Sequence, residues 1–133
     1  MPRLNGTEIM FSKVVRLPEF NRDMKKRLKK HSTLEEDLNI AIKSALYPHH
    51  KQKQPYSGIH PVSYLKIGEH NYYKLTEMAC RSLHGTGKRS GYRLIYAYYA
   101  ESDTIELIEI YHKSQKENED KQRILDHHKK SKK

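Results

Sequence analysis

Apolar residues recur along this chain at two spacings, and the changes between them divide it into elements. Phe20, Met24 and Leu28 fall at every fourth position, and Leu34, Leu38, Ile42, Ala45 and Leu46 resume a similar period after a polar break at 29–33. Recurrence near 3.6 residues puts each set on one face of a helix. Pro18 suits the first turn of the first helix, and Glu19 beside it matches the positive end of the helix dipole. Ser32-Thr33-Leu34-Glu35 has the capping-box pattern that opens a second helix, which predicts a helical hairpin with a tight turn near His31.

Elsewhere the pattern is that of strands. Tyr92 to Tyr99 interleaves aromatic and branched residues with one Arg, Ile105 to Tyr111 supplies Ile105, Leu107, Ile108 and Ile110, and Glu101-Ser102-Asp103 between them predicts a hairpin turn. Ile9 to Leu17 is expected to be a first strand at a sheet edge, ended by Pro18. Tyr72 to Leu83 reads as another strand, preceded by a short strand at Tyr64 to Ile67 and a turn at Gly68 to Asn71. A strict period of two puts Lys74 and Arg81 on opposite faces of that strand, so a bulge intervenes or only one of them faces a common site.

Tyr47 to Val62, with Pro48, Pro55, Gly58 and Pro61, is expected to be the longest loop. Ser114 to Asp120 is polar, Lys121 to His128 is helical with Ile124 and Leu125 as its apolar contact, and 129–133 is a flexible basic tail; Met1 to Thr7 is a loose lead-in. The expected class is α+β: one domain, 1–133, with a small antiparallel-dominated sheet packed on an N-terminal helical hairpin and a short C-terminal helix. A length of 133 residues fits one ordinary domain of roughly 100 to 150.

Charge sharpens this picture. Twenty-six Lys and Arg against 16 Asp and Glu give +10, which favours a polyanionic partner through counterion release. The single Cys80 excludes an internal disulfide framework and a cysteine zinc site, and an inert strand thiol is expected. Without an apolar run of membrane-spanning length or a signal-peptide pattern, no membrane partner is expected and the cytoplasm is the expected location. His49, His50 and His60 are irregularly spaced with no carboxylate beside them, so no metal is assigned to them. Gly85-Thr86-Gly87-Lys88 lacks the Walker spacing, which would need Gly at Ser82 and Ser or Thr at Arg89.

The stretch GTGKRSGYRLIYAYY followed by IELIEIYHKSQKENEDKQRI resembles the RelE/ParE superfamily of bacterial type II toxin-antitoxin toxins, and most of all its RelE and HigB branch. Gly87-Lys88, Ser90-Gly91, Arg93 with Ile95-Tyr96, and Glu109-Ile110-Tyr111 followed by Lys113 carry the likeness, which covers about Lys74 to Leu125. It implies a RelE-like sheet with helices on one face and a basic concave site on the other. It also implies a metal-independent endoribonuclease, or mRNA interferase, that needs no cofactor, cleaves mRNA on the ribosome to inhibit translation, and is silenced by a cognate antitoxin.

RNA brings its own nucleophile, the 2'-hydroxyl, so such a site needs a base, cations for the crowded phosphorane and an acid for the leaving oxygen. Arg93 is the candidate for the scissile phosphate, because a guanidinium grips two oxygens and stays charged; its structural alternative is an ion pair with Glu106 or Glu109. Arg81 would assist it, and Tyr111 or His112 would move protons. Lys74, Lys88, Arg89 and Lys113 would add positive potential on the substrate side. Glu77 departs from the alternating cations of many relatives in that strand. The alternatives are a non-enzymatic ParE-like inhibitor of DNA gyrase on the same fold, or a basic RNA-binding module.

Overall fold

Two long strands, β4 (Tyr92–Tyr99) and β5 (Thr104–His112), occupy the middle of a five-stranded sheet in the computed structural model. The structure describes residues 10–62 and 71–131. The lead-in at Met1 to Thr7, the start of the first expected strand at Ile9, the strand at Tyr64 to Ile67, most of the turn at Gly68 to Asn71 and the last two tail residues lie outside the described residues.

The sheet order is β1-β5-β4-β3-β2, with β1 at Lys13–Arg16, β2 at Ile59–Pro61 and β3 at Tyr72–Leu75. Only β1 runs parallel to its neighbour, β5, and it lies at the edge as expected. A bulge separates the pairs Ile95 with Glu109 and Tyr96 with Leu107. The extra residue, Ile108, re-phases the strand so that Ile108, Glu109 and Tyr111 share a face.

On the first sheet face, Phe20 and Met24 of α1 (Pro18–Leu28) and Leu34 and Leu38 of α2 (Leu34–Ala41) pack against Leu94, Tyr96, Leu107 and Ile110. The capping box is not formed. Thr33 stands at the N-terminus of α2 and its hydroxyl donates to Asp37 Oδ2 at 2.7 Å, while Glu35 is drawn off by Arg16 of β1.

The expected loop from Tyr47 is corrected. A π-helical turn at Ile42–Leu46 runs directly into α3 (Tyr47–Lys51), so Pro48, which cannot donate an N–H to the preceding turn, sits just after the stretch where the helix widens. His50 anchors the segment by bonding the Tyr96 hydroxyl at 2.8 Å, and β2 follows.

The expected strand Tyr72 to Leu83 is also corrected: pairing ends at Leu75, apart from one bridge between Met78 and Arg89. Buried Asp37 explains the departure, since it accepts from the Arg81 main chain at 3.2 Å and Nε at 3.3 Å and pulls this segment toward α2.

The second face carries Val62, Tyr72, Ile95, Ala97, Ile108 and Tyr111, and Ile124 of α4 (Lys121–Ser131) packs on them. Asp120 opens α4 by accepting from the Arg123 main chain at 3.1 Å. Arg123 also reaches Asp23 of α1 at 2.6 Å, and His127 bridges Tyr72 and Glu106, each at 2.7 Å. Helices therefore lie on both faces, which corrects the expectation of an open concave face opposite the hairpin. The helix extends through Ser131, so the expected tail at 129–133 is helical for its described part.

Candidate active site

Cross-strand pairing at one end of the sheet puts Arg93 opposite Tyr111 and Tyr92 opposite His112. Successive strand residues face opposite ways, so the first pair belongs to the second face and the other pair to the first.

Arg93 donates from Nη1 to the Thr76 carbonyl at 2.9 Å and, at 3.5 Å, to the Tyr92 carbonyl. No carboxylate forms an ion pair with it among the described residues. Glu106 is committed to His127, and Glu109, 1% exposed, takes Lys116 and the Asp120 main chain. Its charge is thus held in place by carbonyls and left without a counterion. The alternative of a strand ion pair is not what the fold builds.

Tyr111 is 1% exposed and its hydroxyl has no hydrogen-bond partner among the described residues. The ammonium groups of Lys116 and Lys74 lie 5.1 and 5.9 Å from its ring centroid. Burial above all, then the Glu109 charge, pushes its pKa up to about 12 against the opposing effect of Arg93. A phenol so placed is a poor base at neutral pH. Lys74 is bound to Glu119 at 2.9 Å, with its pKa lowered by burial and then by Arg93.

His112 is held at both ring nitrogens. Nε2 donates to the Ser90 carbonyl at 2.7 Å, which leaves Nδ1 to accept from the Ser114 hydroxyl at 2.7 Å and the Ser114 main chain at 3.1 Å. Burial lowers its pKa, the Ser90 bond opposes that, and Arg27, Lys113 and Arg93 lower it further. Gly91 has φ +93, and a Cβ there would lie 2.7 Å from His112 Nε2. Only glycine lets the loop close over this ring.

Two residues that sequence reasoning did not single out complete this cluster. His31, in the α1–α2 turn, has Nδ1 2.5 Å from the Tyr92 hydroxyl and its ring 6.1 Å from that of His112. Arg27 donates from Nε to the same hydroxyl at 3.1 Å. The spacing of Arg27 and His31, four apart at the end of α1, is the one signal the sequence offered.

The other expected site residues divide. Arg81 forms ion pairs with Glu36 and Asp37 at the start of α2. Lys88 lies 5.1 Å above the Tyr56 ring, and Lys88, Arg89 and Lys113 are exposed near the Gly91 turn, where the Lys113 main chain donates to the Gly91 carbonyl at 2.9 Å. Glu77 accepts from the Ser57 hydroxyl at 3.0 Å, beside the β2 loop. His49 and His50 pack edge to face at 4.8 Å, and no group of three metal-ligating side chains occurs among the described residues. Cys80 is buried, and burial raises its thiol pKa.

The class defined so far is a small α+β protein with a five-stranded mixed sheet and a cation-rich strand end. No family model and no curated protein matches the chain. Among solved structures, it is similar to the conserved hypothetical protein HP0892 from Helicobacter pylori at a TM-score of 0.45 and 18% identity, over 77% of this chain and 96% of that one. Among the described residues, no helix is long and apolar enough to cross a membrane.

Proposed function

We propose that this chain is the toxin of a type II toxin-antitoxin pair and acts in the cytoplasm as an endoribonuclease on mRNA, with the ribosome and a cognate antitoxin as partners. The observation that carries this is Arg93: a cation fixed by two main-chain carbonyls, without an ion-paired carboxylate among the described residues, at a strand end on the same sheet face as Lys74 and Tyr111. A guanidinium held in this way is ready for the non-bridging oxygens of a phosphodiester, whose charge grows in the transition state. Lys88, Arg89 and Lys113 supply the approach potential. The +10 charge suits a polyanionic substrate.

The test is 5'-end mapping of total RNA shortly after induction of the wild type and of Arg93→Ala. New ends inside translated frames that vanish in Arg93→Ala support the proposal. Growth arrest without new RNA ends contradicts it.

A second reading, a non-enzymatic inhibitor of DNA gyrase, is favoured by one observation. Tyr111 has its pKa pushed up to about 12, and His112 has both ring nitrogens bound, so neither is a ready proton carrier. That reading predicts DNA-damage signalling with intact mRNA.

A further inference from the structure

Arg27 is 8% exposed yet forms no ion pair among the described residues. A guanidinium taken so far out of water without a counterion is costly, and proteins usually supply one. The nearby carboxylates are committed elsewhere. Asp23, one turn earlier on α1, is held by Arg123 at 2.6 and 3.3 Å, and Asp37 is held by Arg81 and Thr33. Apart from Nε on the Tyr92 hydroxyl, the Arg27 guanidinium makes no hydrogen bond among the described residues.

The hydrogen-bond order around Tyr92 extends this deficit of acceptors. A guanidinium only donates, so the Tyr92 oxygen accepts from Arg27 Nε, and the same hydroxyl engages His31 Nδ1 at 2.5 Å, donating to it when that nitrogen carries no proton. His31 Nε2 has no partner among the described residues, and it carries a proton in that tautomer and in the protonated ring. Arg27 and His31 therefore both carry donors unused among the described residues and are joined through the Tyr92 hydroxyl, with the His31 ring 6.1 Å from that of His112, itself fixed by Ser90 and Ser114.

We propose that Arg27, His31 and Tyr92 form a phosphate-binding pocket, separate from Arg93, that holds a second phosphate group of a bound RNA strand. The RNA identity of the ligand rests on the ribonuclease proposal; the pocket for a phosphate dianion or diester does not. Arg27 supplies the permanent charge, His31 Nε2 a directed donor, and Tyr92 fixes both.

Binding through this pocket is pH-dependent. In the free protein burial lowers the His31 pKa, and Arg27, His112 and Lys30 lower it further. The groups facing His31 are Arg27 of α1, Lys30 of the α1–α2 turn, Tyr92 of β4 and His112 of β5. An anion in the pocket favours the protonated ring, so the ligand raises the His31 pKa and binds more tightly as pH falls below the usual histidine range.

The experiment is NMR titration of the histidine ring signals with inorganic phosphate and, separately, with a 2'-O-methyl RNA oligonucleotide that cannot be cleaved. Wild type is expected to show saturable shifts at His31 and a raised His31 pKa with both probes. Arg27→Gln is expected to weaken both by roughly tenfold with an unchanged circular dichroism spectrum, and His31→Gln to remove the pH dependence of affinity. Should Arg27→Gln fail to fold, the exposed-side variant His31→Gln and the wild-type titration still decide. Non-saturating shifts, or unchanged affinity and pH dependence in these variants, overturn the pocket. Saturable phosphate binding without oligonucleotide binding supports the pocket and contradicts RNA as its ligand. An oligonucleotide that binds as tightly to Arg27→Gln and His31→Gln overturns the pocket and leaves the ribonuclease proposal standing.

Discussion

At the scale of single residues, the tyrosine and histidine at the end of β5 differ in what they can do. The Tyr111 hydroxyl is buried without a hydrogen-bond partner among the described residues, so removing it costs little. Tyr111→Phe is expected to change stability by less than about 1 kcal/mol and to leave RNA cleavage within a few-fold of wild type. Urea unfolding and RNA end mapping check this, and a large loss of cleavage with intact stability would make Tyr111 a proton donor after all.

Gly91→Ala has the opposite character. The added Cβ meets His112 Nε2 at 2.7 Å and the backbone sits at φ +93, so a loss of about 1–3 kcal/mol is expected from chemical denaturation.

Arg93 stands out in the sequence because it is the one cation between Tyr92 and Tyr99, in a strand of tyrosines and branched residues. His31 does not, because nothing local connects a turn histidine to a tyrosine 61 residues away. The ion pairs of Arg81 were not legible for the same reason: its partners, Glu36 and Asp37, lie on another element more than 40 residues earlier.

At the scale of elements, side-chain bonds decide where regular structure stops. The Tyr92–Tyr99 strand and its partner were readable because alternation, turn residues and strand composition agree. The end of β3 at Leu75 was not, since buried Asp37 sets it from across the molecule. Asp37→Ala is expected to release the Thr33, Arg81 and Ser82 segment and to cost about 1–3 kcal/mol, measured by thermal or urea unfolding. Arg81→Ala is expected to spare RNA cleavage that Arg93→Ala abolishes.

The segment from Tyr47 looked like the start of a loop because Pro48 breaks most helices; here it follows a π-helical turn, and His50 ties the helix to Tyr96. Burial, reinforced by His49, lowers the His50 pKa to about 4. The unfolded chain therefore binds a proton that the folded one refuses between about pH 6.5 and 4. Stability from this residue is full above 6.5 and falls as pH drops through that window. The urea midpoint is expected to drop between pH 7 and 5, and to drop less in His50→Gln.

At the scale of the whole molecule, helices pack on both faces of the sheet, and the strand end carries Arg93 on one face and His112, against the Gly91 turn, on the other. The α+β class and the edge position of β1 followed from periodicity, whereas the placement of α4 over the second face rests on long-range bonds of Arg123 and His127 that no local pattern encodes. Exposed cations at this end and the +10 charge make salt a direct probe of binding. RNA affinity is expected to fall steeply as salt rises.

The central claim is transesterification at Arg93. The RNA's 2'-hydroxyl gives its proton to water and bonds to phosphorus as a 2',3'-cyclic phosphate, while the bond to the 5' oxygen breaks and that oxygen takes a proton from water to leave as a 5'-hydroxyl end. Sequencing selective for 5'-hydroxyl RNA ends, after brief expression of the wild type and of Arg93→Ala, tests it most directly. New 5'-hydroxyl ends within translated frames in wild type alone are the predicted result. Ends equally abundant in both, or new ends bearing 5'-phosphate, would contradict it.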